Sequence, residues 1–382
     1  MSAPEIRFGL IGGGLMGKEF ASACARWFHL AGDVPPVRLV AVCDHTPRNV
    51  DWFRRVPGVE RFYGDYRALL ADPSVDAAYV ALPNLLHEEV CAAVLDAGKH
   101  LLGEKPFGID LPANAGILAA ARRNPGAFVR CSGEFPFYPG AQQLLRWHAE
   151  GRFGRILEAR FAIRHSSDLD PAKPIGWKRQ VRTNGAYGCM GDLGLHVQQV
   201  PFRLGFRPLS VAAVLSDVVR ERPDGKGGTA ACDTWDNATL LCRSRDAAGD
   251  EFPVTYEMKR MSPGAKNVVE YAVYGTEMAA VFSTDDPDAV RYTVGSGGEM
   301  DWARKVLGQR TAFPTITGPI FGFGFPDALL QMLASFACEL RGQPVPFACA
   351  TPEETRRSHL LMTAALRSEA EGRTVPVDGW DG

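Results

Sequence analysis

The first third of the chain alternates short apolar runs with amphipathic stretches of helical spacing. Strands that alternate with helices of this length predict βαβ units, and therefore a parallel sheet with right-handed connections. The predicted strands are Ile6–Ile11, Arg38–Cys43, Ala77–Ala81, His100–Gly103 and Phe128–Gly133. The predicted helices are Leu15–His29, Pro47–Val56, His87–Ala97 and Ala113–Arg123, and Thr46 is the expected N-cap of the second.

After about residue 130 the pattern changes to strand-like runs with few helices between them. This predicts an α+β domain in which one or two helices pack on an open, mostly antiparallel sheet. Residues 295–325 show no clear period, so no element is predicted there. The predicted strands are Arg155–Arg164, Ser210–Val219, Ala238–Arg243, Val254–Met258, Val268–Val273 and Ala279–Phe282.

A long helix is predicted near the end of the chain. Thr351 and Glu354 have the spacing of a capping box, Pro352 fits the first turn, and Gly372 ends the pattern. With 382 residues, two domains are expected. We predict boundaries at residues 1–130 and 131–351, with the helical segment 352–382 following.

Composition and charge narrow the class of protein. The formal net charge is -2 and no Lys/Arg-rich run stands out, which argues against a nucleic-acid or membrane-surface partner. The strand pattern begins within the first residues, so we expect no signal peptide and a cytoplasmic protein. Nine cysteines without metal-ligand spacing predict reduced, mostly buried thiols and no metal site.

A glycine-rich loop follows the first predicted strand. Gly12, Gly14 and Gly17 form G-x-G-x-x-G between a strand and a helix, with Leu15 and Met16 inside the motif. The glycines permit a tight turn, close approach of a pyrophosphate, and close packing of helix on strand. The anion would lie at the positive end of the helix dipole. The loop therefore predicts dinucleotide binding, with residues 1–130 as the cofactor-binding domain.

Asp44 ends the second predicted strand, 27 residues after Gly17. An acidic residue about 20 residues beyond the glycines accepts hydrogen bonds from the ribose of NAD and repels a 2′-phosphate. In the alternative, Asp44 only caps the following helix. Arg48 leaves NADP open, so NAD is the preferred cofactor and NADP the less favoured one.

Two further motifs follow predicted strands of the same parallel sheet. Pro83 and Asn84 end one strand and His87 opens the next helix, although Asn84 could be only a helix cap. Glu104, Lys105 and Pro106 follow another strand. Side chains at the carboxyl edge of such a sheet face the cofactor crevice, and a lysine there could stabilise developing alkoxide charge.

Asp192 and His196 lie four residues apart in a glycine-rich segment, so on a helix they share a face. An aspartate that holds a histidine is a common acid/base arrangement. In the alternative, Asp192 caps a helix and His196 is packed. Pro201 removes the bond to the Val197 carbonyl, so we expect the helix to kink or end after about one turn.

Taken together, these motifs resemble the glucose–fructose oxidoreductase / inositol dehydrogenase / rhizopine-catabolism (Gfo/Idh/MocA) family of sugar dehydrogenases. The resemblance covers nearly the whole chain and includes "IGWKRQ" and "ALRSEAEGRTVPV". It implies a Rossmann domain, a substrate and oligomerisation domain, and a terminal helix packed on the first domain. It rests on Gly12, Gly14, Gly17, Asp44, Pro83, Asn84, His87, Glu104, Lys105, Pro106, Asp192, Gly194 and His196.

The resemblance also implies an activity and a catalytic set. Lys105, Asp192 and His196 are the expected catalytic residues, with Glu104 supporting Lys105. The expected reaction is hydride transfer between NAD(P) and a secondary alcohol or ketone of a sugar, polyol or related cyclic alcohol. A homo-oligomer, dimer or tetramer, is expected. Trp177 and Lys178 are expected to line the substrate pocket, because ring stacking and a cationic donor suit a polyhydroxylated ligand.

The sequence departs from the family pattern at two places. Many members carry an Asn near the start of the second domain and an Arg soon after, where this chain has Glu134 and then Pro136 and Phe137. Many also carry an Asp three residues after the histidine, where Gln199 stands here. We expect an unusual substrate pocket with Glu134 in contact with the substrate.

Two other functions remain open from the sequence. One is an NAD-dependent glycosidase on the same fold, in which the cofactor is oxidised and reduced again within each turnover. The other is a non-catalytic sugar-sensing homologue, against which the intact set of Lys105, Asp192 and His196 argues.

Overall fold

The computed structural model describes residues 4–295, 298–308 and 310–380. Its contacts divide the chain into two compact units, and each unit contains one large sheet. The first unit comprises residues 1–137 and 309–355, and the second comprises residues 138–308 and 356–382. No helix among the described residues is both long enough and apolar enough to cross a membrane.

A six-stranded parallel sheet forms the first unit, in the order β3-β2-β1-β4-β5-β6. This is the doubly wound order that the alternating pattern predicts, with its reversal between β1 and β4. The strands are β1 (Ile6–Ile11), β2 (Val37–Cys43), β3 (Arg61–Tyr63), β4 (Ala77–Val80), β5 (His100–Gly103) and β6 (Val129–Cys131). The helices between them are α1 (Leu15–Ala25), α2 (Pro47–Phe53), α3 (Tyr66–Leu70), α4 (His87–Asp96) and α5 (Leu111–Arg123).

Three local features of the first unit differ from the prediction. The sequence pattern missed β3 and α3, because elements of three and five residues are too short to show a period. Helix α1 ends at Ala25, and the remaining expected turn is a separate 3₁₀ turn, Trp27–His29. Thr46 stands at the N-cap of α2, but its side chain makes no capping bond. Its amide instead donates to the Asp44 carboxylate at 2.7 Å.

The second unit is built on a nine-stranded sheet, confirming the predicted α+β architecture. The sheet is antiparallel throughout except for the parallel pair formed by β7 and β12. Its order is β16-β15-β14-β13-β7-β12-β11-β8-β17. The elements that follow β6 in the chain are α6 (Pro139–Ala149), β7 (Ile156–Arg164), α7 (Val181–Asn184), α8 (Cys189–Arg203), β8 (Arg207–Ser216), β9 (Glu221–Pro223), β10 (Thr229–Ala231), β11 (Asn237–Arg245), β12 (Glu251–Lys259), β13 (Val268–Gly275), β14 (Met278–Ser283), β15 (Ala289–Val294), β16 (Ala303–Val306), α9 (Phe325–Leu340), α10 (Pro352–Glu371) and β17 (Val375–Pro376).

The stretch 295–325, for which the sequence predicted no element, contains little regular structure. Its described residues include β16 and a 3₁₀ turn, Gly318–Ile320, whereas residues 296–297 and 309 lie outside the described part. The four residues of β16 are all exposed, so no apolar pattern marks this strand in the sequence.

The compact units divide the chain at points other than the predicted domain boundaries. Helix α9 belongs to the first unit, where the rings of Phe336 and Phe8 lie 5.6 Å apart. Helix α10 begins with the predicted capping box, in which the Thr351 amide donates to Glu354 at 2.8 Å. From Arg356 onward, the helix is grouped with the second unit. In that unit Ser358 donates to Gln198, and the Ala213 amide donates to Ser368.

A buried ion pair holds the loop segments of the second unit together. Arg179 and Asp236 form this pair, and both side chains are almost completely buried. The other carboxylate oxygen of Asp236 accepts the amides of Val218 and Val219 at 2.7 and 3.0 Å. Asp168 lies 3.5 Å from the same guanidinium, so Arg179 links three segments through charge.

Replacing Asp236 with Asn should lower the free energy of unfolding by about 3 kcal/mol. The change removes the closest counter-charge of a buried guanidinium, and an uncompensated buried charge is costly. The measurement is the urea midpoint with its slope. Asp217→Asn is the matched control, because its pair with Arg220 is exposed and should contribute less than about 1 kcal/mol. Equal losses in the two variants would contradict the prediction.

Candidate functional site

The glycine-rich loop after β1 has the shape that a dinucleotide requires. Gly12 has φ 104°, and a Cβ there would lie 2.2 Å from the Ala81 carbonyl oxygen. A Cβ on Gly17 would lie 2.3 Å from the Gly12 carbonyl oxygen. Gly14, the N-cap of α1, has no neighbour within 4 Å of its Cβ position, and no acidic residue stands in the first turn of α1. Two glycines thus close the turn, while the third leaves a positive helix end open to a pyrophosphate.

Asp44 connects the end of β2 to this loop. Its carboxylate accepts the Gly13 amide at 2.6 Å, the Thr46 amide at 2.7 Å and the Asn49 side chain at 3.2 Å. Burial raises the pKa of this carboxyl, but these hydrogen bonds outweigh it, so the pKa is lowered overall. Asp44 is therefore ionised at neutral pH and shapes the glycine loop. Its predicted contact with a ribose stays a prediction.

His87 is an internal support for the loops around the sheet edge. Its ring is buried, with Nε2 3.0 Å from the Leu82 carbonyl oxygen and Nδ1 3.4 Å from the Gly108 amide. Burial, opposed by the Leu82 carbonyl and aided by the charge of Lys105, lowers its pKa to about 4. The neutral ring donates from Nε2 and accepts at Nδ1, and so joins two loops.

Asn84 lies in a 3₁₀ turn, Asn84–Leu86, which precedes α4. Leu86 stands at the N-cap of α4, so the alternative in which Asn84 caps this helix is not what the structure shows. The side chain of Asn84 is buried. The predicted contacts of Pro83, Asn84 and His87 with the cofactor stay predictions.

Lys105 leaves the end of β5 on a short, tightly packed loop. Gly103 is the last strand residue, and a Cβ there would lie 2.6 Å from the ring of Phe107, so this glycine makes room for that ring. The Lys105–Pro106 peptide bond is cis, and Phe107 has φ 67°. Lys105 itself is partly exposed, whereas Glu104 and Phe107 beside it are buried. The loop therefore places one partly exposed lysine at the carboxyl edge of the parallel sheet.

Glu134, predicted to contact the substrate, lies in the interior of the first unit. It is 1% exposed and accepts the Ser132 hydroxyl at 2.8 Å through Oε1. Burial and the nearby Glu104 carboxylate raise its pKa to about 7, although Ser132 and Lys105 oppose the shift. Its predicted contact with the substrate stays a prediction, and a further role for it is proposed below.

Helix α8 carries Asp192 and His196, and its start is fixed by Gly188. Gly188 has φ 57°, and a Cβ there would lie 2.6 Å from the Trp235 amide nitrogen. The helix then runs on to Arg203, so the expectation that it ends after about one turn is wrong. Pro201 lies in the last turn of α8, where its lack of an N–H group removes only one helical hydrogen bond. Packing of α8 on the sheet stabilises the preceding turns of the helix.

Asp192 lies between two cations. Its carboxylate is 2.7 Å from the Lys178 ammonium and 3.4 Å from the Arg260 guanidinium. Arg260 is fully buried and also donates to the carbonyl oxygens of Lys178 and Gly188. His196 lies one helical turn beyond Asp192, and its carbonyl oxygen accepts the Tyr271 hydroxyl at 2.6 Å. The orienting of His196 by Asp192 stays a prediction.

Sequence reasoning missed Arg260, which lies just after β12 in "EMKRM". An isolated arginine beside a lysine is typical of a solvated strand end, so no signal marked it as buried. Lys178 and Trp177, by contrast, were predicted. Both residues are partly exposed, and the Lys178 ammonium lies 5.7 Å from the indole centroid of Trp177.

The described residues contain no group of three or more His, Cys, Asp or Glu side chains that could hold a metal ion. The nine cysteines are free thiols, and all except Cys24 are buried. Burial raises the pKa of most of these thiols, that of Cys43 and that of Cys338 to about 11.

Comparison with known proteins agrees with this geometry. Residues 6–129 match the family model described as "Oxidoreductase family, NAD-binding Rossmann fold", and residues 141–281 match the GFO/IDH/MocA C-terminal domain. Levoglucosan dehydrogenase from Pseudarthrobacter phenanthrenivorans is 28% identical over 335 residues, which cover 84% of this chain and 82% of that protein.

A solved structure of levoglucosan dehydrogenase, in complex with NADH and L-sorbose, superposes with a TM-score of 0.87 at 25% identity. The alignment covers 98% of this chain and 99% of that one. The 1,5-anhydro-D-fructose reductase of Ensifer adhaerens is 28% identical over 209 residues, 54% of this chain and 59% of that protein. The predictions of an NAD-binding Rossmann domain and of oxidoreductase activity are thereby confirmed.

Substituting alanine for Gly17 should reduce stability, whereas substituting alanine for Gly14 should reduce cofactor binding. Gly17→Ala should lower the free energy of unfolding by about 1–3 kcal/mol, because its methyl would meet a backbone oxygen that cannot move aside. Gly14→Ala should leave stability within about 0.5 kcal/mol of wild type, since the space there is open, but should weaken NADH binding. Urea unfolding and fluorescence titration with NADH measure the two effects. Undiminished NADH binding by Gly14→Ala would contradict the assignment of this helix end to the pyrophosphate.

Proposed function

We propose a catalytic set of Lys105, Asp192 and His196 for this protein, which belongs to the Gfo/Idh/MocA family of NAD-binding oxidoreductases. The observation that carries the proposal is the Lys105 loop, in which a partly exposed lysine stands among buried neighbours at the carboxyl edge of the cofactor-binding sheet. In open α/β sheets this edge is where ligands bind.

The proposed substrate is a sugar, a polyol or a related cyclic alcohol. Two relatives support this class by name, since one is a levoglucosan dehydrogenase and the other an anhydro-fructose reductase. The partly exposed pair of Trp177 and Lys178 also supports it, because an aromatic face and a cationic donor suit a ring that carries several hydroxyl groups. Levoglucosan and L-sorbose are the first compounds to test.

Each proposed catalytic group has a distinct role. NAD, held by the glycine-rich loop of Gly12, Gly14 and Gly17, would supply the hydride acceptor for the carbinol carbon. Lys105 donates a hydrogen bond to the substrate oxygen and stabilises its developing negative charge. His196 accepts the proton of the substrate hydroxyl as general base. Asp192, held between Lys178 and Arg260, supplies a fixed negative charge one turn before His196 on α8.

Lys105→Ala and His196→Ala should bind NADH within a few-fold of wild type but turn over the substrate much more slowly. We expect kcat to fall by about 10²–10³-fold without Lys105 and about 10²–10⁴-fold without His196. Turnover is followed by NADH formation with a panel of sugars and polyols. The double variant should lose less than the product of the two factors, because the groups act on the same step.

Lys266→Ala, on the exposed surface of the second unit, serves as the control and should keep full activity. Near wild-type turnover by His196→Ala would leave His196 as a packed helix residue and sink the acid/base assignment. Release of a sugar from a glycoside without NADH accumulation would favour the glycosidase alternative.

We also infer a homo-oligomer that pairs through the outer face of the nine-stranded sheet. Val214 and Leu241 are 70% and 53% exposed, and both point away from the buried face that carries Leu240. Their strands are neighbours in register, with Val214 opposite Thr239 and Leu241 opposite Ala212. Exposed apolar side chains on adjacent strands favour burial against a second copy.

The double variant Val214→Asp/Leu241→Asp should therefore dissociate the assembly, since two carboxylates would have to be buried in the interface. Sedimentation velocity of both proteins at micromolar concentration measures the mass. A wild-type protein that sediments only as the 41.5 kDa chain would rule out the oligomer. An unchanged assembly in the double variant would move the interface to another surface.

We infer that the enzyme works in the cytoplasm on a small molecule, without nucleic-acid or membrane partners. The net charge of -2 and the set of mostly buried thiols support this inference. Reduced thiols are the ordinary state of cysteine in a reducing compartment.

A further inference from the structure

Two buried carboxyl groups lie beside Lys105 in the first unit. Glu104 is 5% exposed and Glu134 is 1% exposed. Glu104 directly follows β5, and Glu134 lies three residues after β6, its parallel neighbour. Gly103 of β5 is in register with Cys131 of β6, and the Ser132 amide donates to the Gly103 carbonyl at 2.8 Å. The backbone therefore fixes both segments at one edge of the sheet.

Hydroxyl groups connect the two carboxyls. The Tyr79 hydroxyl donates to Glu104, and the Ser132 hydroxyl donates to Glu134. Ser132 is also a hydrogen-bonding neighbour of Tyr79, so the four side chains form one continuous network. The ring of Phe20 stacks on the ring of Tyr79, with centroids 4.3 Å apart, and holds Tyr79 in place.

We propose that Glu134 is a positioning residue whose ionisation, opposed by the neighbouring Glu104 carboxyl group, adds or removes a negative charge beside Lys105. Two like charges in a space without water cannot both form at low cost, as in other carboxyl pairs. The effect on turnover rests on the proposed catalytic role of Lys105. The charge coupling itself does not.

The groups that face Glu134 act on its pKa in opposite directions, and burial together with Glu104 outweighs the rest. Burial and Glu104 raise its pKa to about 7, against the opposing influence of Lys105. The same two carboxyls, after burial, help raise the pKa of Tyr79 and of Cys131, while α9 presents the uncharged sulfur of Met332 to Ser132. Above about pH 7, Glu134 is ionised and the second negative charge keeps the proton on Lys105. Below about pH 7, Glu134 is neutral, so the Lys105 ammonium is stabilised less.

The test is the reactivity of the Lys105 amine, which an acetylating reagent modifies only in its neutral form. Full-length wild type and Glu134→Gln are labelled across the range from pH ~5 to ~9, and peptide mass spectrometry reports the rate at Lys105. The two proteins should label equally at the acid end. At the alkaline end Lys105 in Glu134→Gln should label about tenfold faster, which corresponds to a change of one unit in its pKa.

Two matched changes keep the result interpretable. Glu60→Gln removes an exposed carboxyl of the same unit and should label as wild type, and the exposed Lys266 provides an internal reference in each sample. Ser132→Ala retains both carboxyls but removes the hydroxyl that donates to Glu134. This variant should raise the pH at which Glu134 ionises and should move the pH profile of Lys105 labelling in the same direction. It therefore tests the proposal even if Glu134→Gln does not fold.

Equal labelling of Lys105 in wild type and folded Glu134→Gln at every pH, with no displacement of the wild-type profile by Ser132→Ala, would overturn the inference. A purely structural role of Glu134 would change the labelling by the same factor at all pH values. Failure of the proposed function is a separate outcome, in which Lys105→Ala keeps its turnover while the labelling profiles still diverge above pH ~7 in wild type and Glu134→Gln.

Discussion

The pairing of β4, β5 and β6 is the constraint on which the chemistry of the first unit depends. The parallel ladder continues past the strands, since the Glu104 amide donates to the Val80 carbonyl at 2.9 Å and the Ser132 amide donates to the Gly103 carbonyl at 2.8 Å. Parallel strands in register end at one edge of the sheet. The ladder therefore sets the point at which the Lys105 loop leaves β5, and it brings the segment before Glu134 alongside.

The two units bury charge in different ways. In the second unit the carboxylate of Asp192 lies between Lys178 and Arg260, so its charge is compensated on both sides. In the first unit two buried carboxyl groups, Glu104 and Glu134, lie near a single cation, Lys105, and burial together with Glu104 raises the pKa of Glu134. The aspartate is compensated by two cations, whereas the carboxyl pair is not.

Local signals were sufficient for much of the architecture and for the motif residues. The bounds of β1 and β5 match the apolar runs Ile6–Ile11 and His100–Gly103, because buried parallel strands are continuously apolar. The close approach of Gly17 to Gly12 in the glycine loop and the capping box at Thr351 involve residues only a few positions apart in the chain. For the same reason, the doubly wound sheet followed from the alternation of elements alone.

The sequence by itself determined the two sheets, the glycine loop, and the placement of Lys105 after β5 and of His196 on α8. Only the tertiary structure decided that α8 continues through Pro201, that Arg260 is buried against Asp192, and that Glu134 lies inside the first unit. Periodicity and capping record interactions between residues close in the chain. The partner of a charged side chain, and whether water reaches it, depend on segments many residues away, and no local pattern encodes them.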